Sequence, residues 1–262
     1  MINPSEIAAE LIAAERERKE IAPFSDAHPD LDVETAYRAQ REFVQSKVDA
    51  GDRIIGAKLG LTSRAKQQAM GVAAPVYGWV TQSMLAPFGE ALELERFIHP
   101  RVEPEIAFLL AEDLEPPATV TSVLAATEAV FGAIDVLDSR YENFRFTLPD
   151  VVADNASAGA FLLGPVSRRP DDLVDLRLLG SVLRLNGDVV FTAAGAGVMG
   201  HPAASIAWMV NQLGEGDERL RAGYLIFSGG LTAPVPLPPG TAVTAEFAQL
   251  GAVTVRFSNG AK

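Results

Sequence analysis

In the passage HPRVEPEIAFLL, residues 99–110, two glutamates stand two positions apart in an otherwise apolar run. In a strand, residues i and i+2 share a face, so Glu103 and Glu105 project together while Pro104 turns away. Like charges that close in a partly dry setting either keep a proton on one of them or take a cation between them. Asp135, in AVFGAIDVL, is a third acid among nonpolar neighbours. Three inward acids in a chain without Cys suit a hard divalent cation, Mg²⁺ or Mn²⁺, that keeps positions open for substrate oxygens. Glu-x-Glu pairs on strands commonly face solvent; the apolar company is what favours an inward pair here. Lys58, in IIGAKLGLT, is another charge inside an apolar strand. Either its stem packs while the ammonium reaches water, or the ammonium lies beside an anionic site and polarises a carbonyl or enolate.

These four side chains need a scaffold of strands. RIIGAKLGL reads as one, SRAKQQAM as a short helix stopped by Gly71, and VYGWVT as extended. Pro104 cannot donate a ladder hydrogen bond, which predicts a sheet edge or a bulge at that point. After EPEIAFLL the pattern predicts a helix over 121–130 and a strand in FGAIDVL, then a strand in SAGAFLLG. VLRLNGDVVFT is a hairpin turning at Asn186-Gly187. Pro202 opens a helix that runs to Leu213, with His201 in a capping or structural place. YLIFSGG, AVTAEFA and AVTVRFS are late strands between Pro- and Gly-rich turns.

Ahead of this body, Pro4 and Ser5 precede a helix with a thin apolar stripe. Asp32 caps a longer one that ends at Gly51, with a loop between the two. The connections are too short and irregular for repeated βαβ units, so the fold class is α+β: a small helical N-terminal segment, 1–51, on a β-rich body, 52–262.

Composition narrows the function. The chain has 262 residues, 48% of them hydrophobic, and no cysteine, which excludes disulfides, thiol catalysis and thiolate metal sites. A net charge of −12 argues against nucleic acid or an anionic membrane surface as partner. With no signal-like N-terminus and no run of transmembrane length, a cytoplasmic protein is expected.

Four passages together carry a resemblance: GAKLGLTSRAKQQAMGVAAPVYG, HPRVEPEIAF, LDSRYENFRFTLPDVVADNASAG and LRAGYLIFSGGLTAPVPLPPGTAVTAEFAQLGAVTVRFS. They resemble, in order, the hydratase/decarboxylase family of catechol meta-cleavage pathways, within the fumarylacetoacetase-like superfamily. The resemblance implies a fumarylacetoacetase-like body and a Mg²⁺ (or Mn²⁺) site formed by Glu103, Glu105 and a third acid. By position that acid is Asp135, where many members carry Glu; the shorter side chain leaves ligation directly or through water open. Lys58 is then the catalytic cation, with Leu59 beside it among the substrate-binding residues.

The family's two activities are hydration of 2-hydroxypenta-2,4-dienoate and decarboxylation of 2-oxohex-3-enedioate to that dienoate. Its hydratases typically place an acid where this chain reads Val76, in Pro75-Val76-Tyr77-Gly78. That replacement and the SGGLTAPVP passage resemble the decarboxylase branch, which implies a 2-oxo diacid substrate. Hydratase activity is the alternative. Arg140 and Arg145 are candidates for the second carboxylate, against a structural salt bridge for each. Asn155 and Ser157 are candidate substrate contacts, against turn capping. Ser228, with Gly229 and Gly230, forms a turn whose N–H groups can hold a carboxylate, against a plain glycine turn. The resemblance also implies a complex with the pathway hydratase, and the apolar, glycine-rich body implies a homo-oligomer.

Overall fold

The structure is a computed structural model that describes residues 2–214 and 218–258. Helix α1 (Pro4–Glu17) starts where the Asn3 side chain accepts from the Ser5 N–H and Glu6 reaches back to the Asn3 N–H. Helix α3 (Val33–Asp49) is capped by Asp32, which accepts from the Thr35 N–H at 2.7 Å. The stretch between them, expected as loop, contains one short helical turn, α2 (Phe24–Ala27). Four further helices are α4 (Arg64–Met70), α5 (Val120–Ala125), α6 (Leu148–Ala153) and α7 (Pro202–Leu213).

The strands are β1 (Ile54–Gly60), β2 (Val76–Thr81), β3 (Leu92–Glu93), β4 (Arg101–Leu110), β5 (Thr127–Leu137), β6 (Ala158–Arg168), β7 (Gly180–Leu185), β8 (Asp188–Ala194), β9 (Leu225–Phe227), β10 (Val235–Pro236), β11 (Ala242–Phe247) and β12 (Gly251–Ser258). One sheet runs β2-β1-β9-β4-β5-β6, with β10 also on β4; the other runs β3-β12-β11-β7-β8. The β7–β8 hairpin turns at Asn186-Gly187, both at positive φ (51° and 93°), as its sequence predicts. The helix expected over 121–130 stops at Ala125 because Thr127, Ala129 and Val130 pair with Leu110, Leu109 and Phe108 of β4. Tertiary pairing overrides local helical spacing there.

The expectation of an edge at Pro104 is corrected. Strand β4 is interior, with β5 along one side and β9 then β10 along the other. Between those two short strands the chain follows β4 without regular pairing: Ser228 N–H donates to Ile106 O at 3.1 Å and Leu231 N–H to Pro104 O at 2.9 Å. The missing N–H of Pro104 faces this irregular segment, where no acceptor requires it.

One apolar core joins the helical segment to both sheets, from Ile7 and Leu11 through Phe43 to Ile106, Val136 and Val255. No helix of the described residues is long and apolar enough to cross a membrane.

Candidate metal centre and its cavity

The period of two along β4 decides which side chains meet. Val102, Ile106 and Phe108 point into the core, so Glu103 and Glu105 point to the opposite face. Across the ladder Asp135 of β5 lies opposite Glu103. All three acids are buried, and a carboxylate oxygen from each lies within 4.8 Å of the others. Lys58 joins them from β1, two strands away, because β9 between β1 and β4 ends at Phe227, opposite both Lys58 and Ala107. Past Phe227 the sheet has no regular strand between β1 and β4, and the acids occupy that interval.

The segment that replaces β9 closes over them. Gly229 N–H donates to Glu105 Oε2 at 2.9 Å. At Gly230 a Cβ would stand 2.0 Å from Glu103 Cδ, so a larger residue requires the Glu103 carboxylate or the backbone to shift. Lys66 Nζ donates to Glu103 Oε2 at 2.6 Å and to Gly230 O at 3.2 Å. Lys58 Nζ donates to Ala156 O at 2.7 Å and lies 2.9 Å from Asp135 Oδ2. Ala156 presents that carbonyl because Asn155, Ala156 and Ser157 are all left-handed (φ 51°, 53° and 55°). Asn155 pins this turn to β2: its Oδ1 accepts from Trp79 N–H and its Nδ2 donates to Trp79 O, both at 2.8 Å.

The electrostatics ask for a cation. Burial, then Asp135 and Glu103, push the Glu105 carboxyl well above its ordinary range, against the pull of Lys58 and the Gly229 N–H. Burial also raises Asp135 from 3.8 to about 6, although Lys58 opposes it. Glu105 Oε1 and Asp135 Oδ1 are buried without a hydrogen-bond partner. Orphaned carboxylate oxygens converging with a third acid form an all-oxygen donor set, which fits a hard divalent cation.

A cavity of ≈ 310 Å³ opens onto this group. Its polar wall holds Lys58, Lys66, Arg101, Glu103 and Ser157, and its apolar wall includes Leu61, Val76, Leu137, Phe144, Phe146 and Val151. The only carboxylate among these lining residues is Glu103.

The structure thus brings Glu103, Glu105, Asp135 and Lys58 together; Ser157 lines the cavity while its Oγ donates to Asp154 Oδ2 at 3.2 Å, and the other residues singled out in the sequence lie elsewhere. Arg140 does not reach the cavity. It is buried, donates to Asp138 O (2.7 Å), Glu15 Oε2 (2.7 Å) and Ala158 O (2.9 Å), and pairs with Asp154 (3.4 Å). Arg145 forms an exposed bidentate pair with Asp26. The Leu59 side chain belongs to the core, on the face opposite Lys58. Asn155 spends its amide on Trp79, and so positions Lys58 through Ala156 rather than facing the cavity. Ser228 Oγ is buried without a partner, while the turn after it gives its N–H to the protein's own Glu105. His201 caps α7, its Nδ1 accepting from Ala203 N–H at 3.0 Å. Sequence reasoning missed Lys66 and Arg101. Lys66 sits on a helix that reads as polar and exposed, although Arg101 carried a signal: it continues the i, i+2 row of Glu103 and Glu105.

Residues 52–258 match the family described as fumarylacetoacetate (FAA) hydrolase C-terminal. A 4-oxalocrotonate decarboxylase of Pseudomonas sp. (strain CF600) is 41% identical over 96% of this chain and 95% of its own length. A 2-oxo-hept-4-ene-1,7-dioate hydratase of Escherichia coli is 36% identical over 96% of each. The solved structure of a 4-oxalocrotonate decarboxylase from Pseudomonas putida G7, complexed with magnesium and adipate, superposes with TM-score 0.93 at 39% identity, covering 97% of each chain.

Proposed function

The chain belongs to the fumarylacetoacetate hydrolase C-terminal family, and from that premise we propose that it is a carboxy-lyase. Its reaction is the metal-dependent decarboxylation of 2-oxohex-3-enedioate (4-oxalocrotonate) to 2-hydroxypenta-2,4-dienoate. The observation that carries this choice over hydration is the cavity wall. Beyond Glu103, a metal-binding candidate, it offers no acid to handle the protons of water addition, and Val76 stands where the family's hydratases place one. Decarboxylation needs no attacking water. It needs a place for an electron pair and a dry setting.

Glu103, Glu105 and Asp135 would hold Mg²⁺ or Mn²⁺, which when bound supplies Lewis-acid pull on the oxygens of a 2-oxo acid. Lys58 has three N–H donors, of which Asp135 and Ala156 O engage two. The third is free for the C2 oxygen, where negative charge develops as CO₂ leaves the far end. The apolar side chains around it keep water out and raise the effect of that fixed charge.

The same reading includes a homo-oligomer and a complex with the pathway hydratase. Edge strand β8, which exposes Val189, Val190 and Phe191, supports self-association. Sedimentation of the protein alone, then with the hydratase, tests both.

The decisive assay incubates pure protein and Mg²⁺ separately with the diacid and with the dienoate. CO₂ release from the diacid is expected, and it should vanish in Glu103→Gln/Glu105→Gln. Water addition to the dienoate without CO₂ release from the diacid would assign the hydratase activity instead.

A further inference from the structure

The cavity holds three cations, and two of them are committed. Lys58 is engaged by Asp135 and Ala156, and Lys66 by Glu103 and Gly230. The Arg101 guanidinium has no ion pair or hydrogen bond among the described residues. Its contact is the face of Phe144, with Cζ 3.9 Å from the ring centre. A half-buried cation with no anion has only the ring face to offset its lost hydration, an arrangement that a ligand's negative charge would complete. A guanidinium laid on a ring keeps its in-plane N–H groups free for a bidentate grip on a carboxylate.

The strand register says where that carboxylate would lie. Arg101, Glu103 and Glu105 are i, i+2 and i+4 on one face of β4, and Leu137 faces Arg101 as Asp135 faces Glu103. Arg101 is therefore rooted one rung, about 7 Å, beyond the acids. That is the scale of a six-carbon diacid whose oxo-acid end sits at Glu103, Glu105 and Asp135. We infer that Arg101 grips the carboxylate remote from the metal and is the specificity-determining residue that makes this cavity select 2-oxo diacids over equivalent monoacids. The inference rests on the decarboxylase reading above.

In that reaction the C5–C6 bond breaks and C6 leaves as CO₂. Its electron pair forms C4=C5, the C3=C4 pair moves to C2=C3, and the carbonyl pair passes to the C2 oxygen, which takes a proton from solvent. Charge thus moves away from Arg101 as the bond breaks. The grip is stronger on the intact substrate than in the transition state, so its removal raises KM and does not lower kcat.

The test titrates 2-oxoadipate and 2-oxohexanoate into the full chain with Mg²⁺, for the native protein, Arg101→Gln and Arg101→Lys. The native protein is expected to prefer the diacid by about tenfold or more. Arg101→Gln should bind both acids alike, with monoacid affinity within about twofold of native, and Arg101→Lys should restore part of the preference. In turnover of the diacid, Arg101→Gln should raise KM about tenfold or more without lowering kcat. Retained diacid preference in Arg101→Gln, or equal affinities in the native protein, overturns the inference and leaves the decarboxylase reading intact. If the native protein binds neither acid, that reading falls and this one with it.

Discussion

Glu105 and Asp135 are carboxyls that the fold has made reluctant to ionise, and that reluctance has a measurable consequence. Asp135 titrates at about 6 in the metal-free fold against 3.8 ordinarily, because burial outweighs the neighbouring ammonium of Lys58. The folded state therefore holds a proton that the unfolded chain has already released. This contribution to stability is complete below about pH 4 and is lost as the pH rises through about 6. A divalent cation replaces that proton, so stabilisation by Mg²⁺ should grow over the same interval. Calorimetric melting is expected to show a small Mg²⁺-induced rise in Tm at about pH 5 and a larger one at about pH 7.5. A rise independent of pH would mean that the ion binds elsewhere. Lys58 has a different task in the proposed reaction, which assigns its third N–H to the developing oxyanion. Lys58→Met, which keeps the packed stem, should lower turnover roughly 10²–10³-fold, about 2.7–4 kcal/mol of barrier, with Mg²⁺ uptake retained. Turnover within a few fold of native would remove Lys58 from the chemistry.

At the scale of elements, the site depends on β9 being only three residues long. Had it continued beside β4, regular pairing would fill the interval where Ser228–Gly230 now wraps the two glutamates. Gly230→Ala tests that wrapping. A methyl group there meets the Glu103 carboxylate at 2.0 Å from Cδ, so the loop or the ligand must move. Titration calorimetry is expected to show Mg²⁺ affinity reduced about 10–100-fold, the range for disturbed support of a ligand, with the two sheets intact by circular dichroism. The acids themselves were legible because strand alternation is a local rule: two glutamates in an apolar decapeptide already share a face. The Asn186-Gly187 hairpin, the Asp32 cap and the Pro202 start were legible for the same reason. The length of β9, the interior place of β4 and the short α5 were not. Each is set by a partner distant in the chain, such as the pairing of Val130 with Phe108. Lys66 escaped notice because nothing near it in sequence announces that α4 leans over Glu103.

Across the whole molecule, the residue that sequence reasoning sent to the substrate turns out to bind the N-terminal helix to the body. Arg140 is fully buried beneath α1, over the ring of Phe43, where it meets Glu15 of α1 and Asp154 at the end of α6. Burial alone would weaken its hold on a proton, but Asp154, Glu15 and Asp138 outweigh that and tighten it. Asp154 is the vulnerable partner. Burial has already raised it to about 7 in spite of Arg140, and its Oδ1 has no hydrogen bond. Glu15 is partly exposed and can be solvated when the pair is broken. Arg140→Met preserves much of the volume and leaves Asp154 as a buried acid without its cation, which typically costs about 3–5 kcal/mol. For a chain of this size that corresponds to a fall in Tm of roughly 6–20 °C. The folded enzyme should keep its KM for the diacid, since Arg140 is absent from the cavity wall. Arg101→Gln should do the reverse, raising KM with Tm nearly unchanged, because that guanidinium holds no partner whose loss would strand a buried charge. Measured side by side, the two arginine variants separate the cation that assembles the protein from the cation that reads its substrate. An Arg140→Met enzyme that melts like the native protein but binds the diacid poorly would overturn the assignment of Arg140.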